Sequence, residues 1–267
     1  MKIALGQFHI YWEDKTENLK KLDACLRRLD GTGTELLLLP EMSLTGFSMN
    51  TEKTKEKEKE TVRKIQKLAG EHGLAVGIGW VKDQGNTCEN HYSIVTEEGE
   101  LLDYAKIHPF SFGEESHHFT GGRKLAFCRY KGFSISVQIC YDLRFPEPFQ
   151  ILSKETDLIV VPANWPAARR EHWDTLLRAR AIENQVYIAG VNCAGDIGGQ
   201  YYSGDSVVYR PDGSELKAEQ LIDTEEKTCP EEKIFLMEIK PDVAKYRETF
   251  PAKKDRREQL YKKLGST

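Results

Sequence analysis

Nowhere in this chain does an apolar run approach the roughly 18 residues that a membrane-spanning helix needs. Positive charge is not in excess either. The 38 Lys and Arg against 42 Asp and Glu leave a net charge of -4, which gives no general electrostatic reason to bind nucleic acid or an anionic membrane. The six cysteines, at positions 25, 88, 128, 140, 193 and 229, form neither a CxxC pair nor a Cys/His cluster of the spacing zinc requires. At 267 residues the chain buries roughly 75% of its unfolded surface and does not depend on disulfide staples. Reduced thiols and a cytoplasmic setting are therefore expected. "MKIALGQFHIYWED" is apolar only briefly and lacks a small-residue cleavage site, so it reads as a first strand rather than a signal peptide. With no internal repeat, low-complexity linker or visible boundary, one domain over residues 1–267 is expected.

The chain does contain alternating strand and helix patterns. "KIALGQF" is β-rich, and "TENLKKLDACLRRLDG" places Leu19, Leu22, Leu26 and Leu29 at helical spacing, with Gly31 closing the helix. "TELLLLPE" and "LAVGIGWV" are continuous apolar runs of the kind that form strands covered on both faces. "TEKTKEKEKETVRKIQKLAGEHG" reads as one charged helix whose Lys/Glu run is a solvated start. Hairpins are expected around "EEGE" and "YKGF", a short helix at "PFQILSKETD", an amphipathic helix at "REHWDTLLRARAIENQ", and further strands at "LIVVPAN", "VYIAGVN" and "KIFLMEI". The basic C-terminal "FPAKKDRREQLYKKLGST" is expected at the periphery. Together these elements predict an α/β layered fold with sheets inside and helices outside.

Three chemically capable residues leave apolar strands at their ends: Glu41 after "LLLLP", Lys106 after "LLDYA" and Cys140 after "SISVQI". Strand ends are where a rigid sheet presents side chains to a cleft. A free thiol, with a pKa near ~8.5, is only slightly ionised at neutral pH, so a carboxylate that accepts its proton activates it. That carboxylate also repels the thiolate, and an ammonium nearby offsets the repulsion. The same ammonium, with the backbone N–H of Tyr141, can hold the oxyanion formed when sulfur attacks a carbonyl. Each residue alone has a plain structural reading: Cys140 as a small core side chain, Glu41 as a cap, Lys106 as an edge charge.

"LLLLPEMSLTGF", "YAKIHPF" and "VQICYDLRFPE" resemble, in this order, the three signature blocks of the nitrilase superfamily, the carbon–nitrogen hydrolases. The resemblance runs from "ALGQF" to "FPAKKDRR". It implies a four-layer α-β-β-α sandwich and homodimers or larger homo-oligomers paired through helices near the active site. It also implies a second glutamate that positions the lysine and helps place the substrate amide. "FGEESHHFTGG" offers Glu114 and Glu115, and counting back from "FTGG" favours Glu115. His117 and His118 are adjacent, so their side chains diverge, and no ligand partners follow at helical spacing; no metal is expected there.

"ANWPAARREHWDTLLRARAIENQVYIAGVN" and "YSGDSVVYRPDG" look most like the omega-amidase branch, whose enzymes hydrolyse the side-chain amide of 2-oxo acid monoamides such as 2-oxoglutaramate and 2-oxosuccinamate. On that reading Asn164 and Trp165 are pocket walls, Trp165 having core packing as its alternative, and Arg178 and Glu183 are structural. Asp142 and Arg144 form an ion pair holding the turn, while Arg144, Arg169 and Arg170 are candidates for the substrate carboxylate. The expected route is a thioester on Cys140 that needs neither metal nor organic cofactor. Another aliphatic amide, an N-carbamoyl compound or a nitrile stays open within the superfamily, since the same triad serves all of them. Outside it stand a scaffold protein without catalysis and a metal-dependent phosphoesterase, whose clustered ligands the sequence does not display.

Overall fold

The computed structural model describes residues 1–224 and 228–264. The chain first builds most of one sheet from β1 (Lys2–Gln7), β2 (Leu36–Leu38), β3 (Lys55–Glu56), β4 (Ala75–Asp83), β5 (Cys88–Thr96) and β6 (Gly99–Ala105). A second sheet follows from β7 (Phe127–Tyr130), β8 (Phe133–Val137), β9 (Leu158–Ala163) and β10 (Tyr187–Asn192). A separate hairpin, β11 (Ala194–Ile197) and β12 (Gln200–Ser203), intervenes before β13 (Val207–Tyr209) and β14 (Glu215–Leu216) complete the second sheet. Finally β15 (Gln220–Asp223) and β16 (Lys233–Glu238) return to the first sheet beside β1. The helices are α1 (Lys15–Leu29), α2 (Thr51–Thr54), α3 (Glu60–His72), α4 (Glu115–His118), α5 (Pro146–Leu152), α6 (Arg170–Asn184), α7 (Val243–Thr249) and α8 (Glu258–Leu264).

The strand period of two explains the layering. Ile3, Leu5, Leu36 and Leu38 point from the first sheet into a core shared with Ile135, Val137 and Val160 of the second. Ala4, Leu37, Val76 and Ile78 point the opposite way, onto Leu22 and Leu26 of α1 and Val62 and Ile65 of α3. Trp173, Leu177 and Ala181 of α6 and Phe149 of α5 cover the far side of the second sheet. The result is the expected four-layer α-β-β-α sandwich. Each fully buried Leu or Ile in it contributes about 1.5–3 kcal/mol through apolar burial. The Asp14 carboxylate caps α1 by accepting from the N–H groups of Thr16 and Glu17 at 3.1 and 3.0 Å.

The Lys/Glu run is not one helix. It forms α2, the two residues of β3 and then α3, with Lys59 in the left-handed region at φ 53°. Tertiary partners override the helical pattern. The buried Glu56 accepts from the Thr61 N–H and hydroxyl at 2.9 and 2.7 Å, and the Lys59 ammonium reaches Glu100 and Asp103 at 2.5 and 2.8 Å.

Strand direction sets up the site. β1, β2 and β4 run parallel, as do β8, β9 and β10, and two antiparallel turns bring β6 back to the direction of β4. The segments after β2, β6, β8 and β9 therefore leave the sandwich at one end. Carboxyl ends of parallel strands are where such sheets hold ligands.

Candidate active site

Glu41 follows β2 through Pro40 in a loop fastened against β4. The Ser43 N–H donates to Gly79 O at 3.1 Å, and the Gly79 N–H donates to the Ser43 hydroxyl at 2.9 Å. Only glycine fits at 79, because a Cβ there would stand 2.3 Å from the Met42 nitrogen and 2.9 Å from the Glu41 carbonyl carbon. Lys106 follows β6, its N–H donating to Asn90 O across the strand pair at 2.8 Å. Cys140 follows β8 and opens a short turn of 3-10 helix, Cys140–Arg144, with φ 46°. A non-glycine residue in that left-handed region is strained by about 1–3 kcal/mol, a cost that surrounding contacts must hold in place.

Asp142 supplies those contacts. Fully buried, its carboxylate accepts from the Ile139 N–H (3.0 Å), the Tyr104 hydroxyl (2.8 Å) and the His108 N–H (3.0 Å), and lies 2.7 Å from His108 Nδ1. It thereby ties the segment after Lys106 to the turn that carries Cys140. The ion pair expected between Asp142 and Arg144 does not form: Asp142 points into the sandwich, and Arg144 lies over the Trp165 ring at 4.8 Å on the cavity side. The structural role assigned to Arg178 belongs to Arg180. Arg178 is exposed, whereas Arg180 is buried, donates to Leu143 O at 2.9 Å and pairs with Glu183 at 2.9 Å.

Glu41, Lys106 and Glu115 form one buried cluster. The Lys106 ammonium donates to Glu41 Oε1 at 2.9 Å and to Glu115 Oε1 and Oε2 at 3.1 and 2.8 Å. Of the two glutamates in that segment it is Glu115 that reaches Lys106; Glu114 is exposed at the left-handed start of α4. The Phe110 N–H also donates to Glu115 Oε2, at 2.6 Å. Asn164, just past β9, donates its backbone N–H to Glu41 Oε2 at 3.0 Å and its side-chain amide to Glu41 O at 2.7 Å. Asn90, unmarked by sequence reasoning, donates to Glu41 Oε1 at 2.8 Å and to Glu115 Oε1 at 3.1 Å. Its strand also carries Glu89, His91 and Ser93, so one more polar residue gave no signal in the sequence.

Electrostatics follow from this packing. Burial alone would drive Lys106 toward neutrality, but the Glu115 and Glu41 carboxylates override it and hold its pKa above the usual lysine value. Burial and the Glu41 carboxylate push the Cys140 thiol well above its ordinary range, and Lys106 pulls it back only in part. The offset expected from the ammonium is therefore incomplete, and the cysteine rests as a thiol.

Lys106, Cys140, Tyr141, Asn164 and Trp165 line one cavity of about 230 Å³, with Glu41 and Glu115 behind its wall. Phe47, Phe110, Tyr202 and Trp12 add apolar surface, and Arg144 and Arg169 line it as well. Arg170 does not; it pairs with Asp205 and Asp174. Trp165 satisfies both readings offered for it: it lines the cavity, yet is 4% exposed, packs on Trp173 and donates its indole N–H to Arg169 O at 2.8 Å. His117 is exposed and His118 half-buried, and among the described residues no group of three or more His, Cys, Asp or Glu side chains gathers to hold a metal.

An α-β-β-α sandwich with glutamate, lysine and cysteine converging at the ends of its strands defines a class of cysteine hydrolase. The family model for carbon-nitrogen hydrolases matches residues 2–245, and the chain belongs to that family, as a hydrolase of carbon–nitrogen bonds. It is 36% identical to the omega-amidase YafV of Yersinia enterocolitica over 78% of this chain and 80% of the relative. It is 30% identical to the 2-oxoglutaramate amidase of Bacillus subtilis over 97% of this chain and 98% of the relative. The crystal structure of XC1258 from Xanthomonas campestris, a CN-hydrolase superfamily protein with an arsenic adduct in its active site, superposes with a TM-score of 0.86 at 32% identity, covering 96% of this chain and 97% of that one.

Proposed function

We propose that this chain is an omega-amidase: one catalytic domain over residues 1–267 that hydrolyses the side-chain amide of small 2-oxo acid monoamides, 2-oxoglutaramate and 2-oxosuccinamate, to the dicarboxylate and ammonia. The observation that carries the reading is the pairing of Cys140 with two guanidinium groups in one cavity. Among the described residues, neither Arg144 nor Arg169 meets a carboxylate; Arg144 lies against His172 and the Trp165 ring, and Arg169 over the Phe110 ring at 5.6 Å. Guanidinium groups without a carboxylate partner inside an apolar-walled cavity fit a substrate that carries a carboxylate at the end remote from its amide. The relatives named omega-amidase and 2-oxoglutaramate amidase support the same reading.

The chemistry follows from the raised thiol. Sulfur attacks the amide carbon as Glu41 accepts the thiol proton, so no free thiolate accumulates. The oxyanion is stabilised by the positive charge of Lys106 and held by the Tyr141 N–H, second in the 3-10 turn that Cys140 opens, where first-turn N–H groups lack intrahelical partners. Glu41 passes its proton to the departing nitrogen, ammonia leaves, and the acyl group remains as a thioester on Cys140. Water then attacks that thioester, giving its proton to Glu41. Collapse releases the carboxylic acid and returns the proton to sulfur. Glu115 fixes Lys106; Asn164 fixes Glu41 and, with Trp165, walls the cavity.

A homodimer or larger homo-oligomer in the cytoplasm completes the proposal. Ile151 on α5 and Ile182 on α6 are 56% and 50% exposed, which supports pairing through those helices. Among the described residues no helix is long and apolar enough to cross a membrane. The test of substrate is ammonia release from 2-oxoglutaramate beside glutamine, asparagine, a carbamoyl amino acid and a nitrile. The highest kcat/KM is expected for 2-oxoglutaramate, falling at least tenfold in Arg144→Met or Arg169→Met through KM. Preference for a substrate without a carboxylate, unaffected by either change, would assign the cavity to another amide.

A further inference from the structure

Asn90 is 2% exposed and lies between the two buried glutamates, giving a hydrogen to Glu41 Oε1 at 2.8 Å and to Glu115 Oε1 at 3.1 Å. Its own Oδ1 is buried without a partner among the described residues. A buried, unsatisfied carbonyl is unfavourable and calls for a compensating reason. The compensation here is orientation: turning the amide over would satisfy no additional group and would set Oδ1 against two carboxylates.

A count of acceptor positions gives the consequence, each carboxylate oxygen having two. Glu115 Oε1 takes Lys106 and Asn90, and Glu115 Oε2 takes Lys106 and the Phe110 N–H. Glu41 Oε1 takes Lys106 and Asn90. Glu41 Oε2 takes the Asn164 N–H at 3.0 Å, with the Asn164 side-chain amide only at 3.5 Å. One good acceptor position is left in the whole cluster, and it is on Glu41 Oε2.

We propose that Asn90 is a positioning residue of the hydrolysis, which by dividing its amide hydrogens between Glu41 and Glu115 holds the two carboxylates in place and leaves Glu41 Oε2 as the oxygen that receives the Cys140 proton. The assignment rests on the cysteine-amidase reading above. The charged and titratable groups facing this point are Glu41 on the loop after β2, Lys106 after β6, Glu115 on α4 and Cys140 after β8. Loss of the Asn90 amide removes one hydrogen bond from each carboxylate, so neither is held in its orientation as firmly.

The experiment compares wild type with Asn90→Leu, which removes both donors at similar size, and with Asn90→Ser, a smaller polar residue that keeps one donor. For folded protein of each, kcat and KM for ammonia release are measured separately, beside Cys140→Ala as the control for the cysteine. The expected result is a fall in kcat of about 10- to 100-fold for Asn90→Leu and less for Asn90→Ser. KM should be little changed in both variants, because Asn90 does not line the cavity. A kcat equal to wild type in both variants, with turnover lost in Cys140→Ala, would overturn the role of Asn90 and leave the amidase reading standing. Undiminished ammonia release in Cys140→Ala would overturn that reading, and this proposal with it.

Discussion

Cys140 is held in a left-handed conformation beside a carboxylate that raises its pKa, an arrangement that disfavours a free thiolate. It makes sense if thiol and base act together, with the proton transferred as the carbon–sulfur bond forms. The arrangement leads to opposite effects from two substitutions. Glu41→Gln removes the negative charge that opposes thiolate formation while Lys106 remains, so the thiol pKa falls and iodoacetamide labels Cys140 faster at neutral pH. Amide turnover nevertheless drops by about 10²–10⁴, the usual contribution of a general acid–base. Slower labelling in Glu41→Gln, or retained turnover, would place the base elsewhere. Lys106→Ala has the reverse electrostatic effect: labelling slows, and kcat falls by about 10²–10³ through loss of the positive charge beside the oxyanion. It also leaves Glu41 and Glu115 buried without their cation, so the folded state should lose about 3–5 kcal/mol, measurable by urea unfolding. A kcat loss below tenfold would reduce Lys106 to a structural ion-pair partner.

At the scale of elements, the position of Glu41 depends on how closely its loop approaches β4. A Cβ at residue 79 meets backbone atoms of residues 41 and 42, which cannot move aside as a flexible side chain can. Gly79→Ala should therefore displace the Glu41 carboxylate and lower kcat by about 10²-fold, as misplacements near 1 Å do, with the strand core intact by circular dichroism. Wild-type turnover in Gly79→Ala would show that the loop tolerates the shift. Elements of this kind mark the limit of what the sequence could disclose. Strand periodicity and the three signature blocks were enough to locate Glu41, Lys106 and Cys140 at strand ends, and counting back from "FTGG" to prefer Glu115 over Glu114. Asn90 escaped because one Asn in a strand reads as an edge residue until register sets it across from Lys106. The α2–α3 break escaped because alternating Lys and Glu fit a helix equally well, and the Lys59 partners, Glu100 and Asp103, lie some forty residues away. The Asp142–Arg144 pair was expected from adjacency, but a carboxylate with four nearer polar partners has no need of it.

At the scale of the molecule, the C-terminal segment packs its cations on the carbonyl ends of α5 and α6. Arg247 and Lys253 both donate to Ser153 O at 2.8 Å, and Arg256 donates to Gln150 Oε1 at 2.7 Å. Partial burial, then the neighbouring Arg247, Arg256 and Lys154 charges, lower Lys253 to about 7 from 10.5. Between those two values the unfolded chain holds the proton more tightly than the folded one, so stability should rise with pH from about 7 toward 10, where the penalty for charging Lys253 has disappeared. Relative to Lys253→Met, wild type should gain unfolding free energy across that range; a pH-independent difference would show that Lys253 titrates as in the unfolded chain. The same molecule-wide view applies to the proposed catalysis, in which a base from one sheet, an ammonium from the same sheet and a sulfur from the other would meet at one carbonyl. The most direct measurement is mass analysis of acid-quenched protein during turnover of 2-oxoglutaramate. The predicted result is a single acyl adduct of the substrate minus ammonia, located on the peptide containing Cys140 and absent from the other five cysteines. Sustained turnover with no adduct at any time point, continuing in Cys140→Ala, would contradict it.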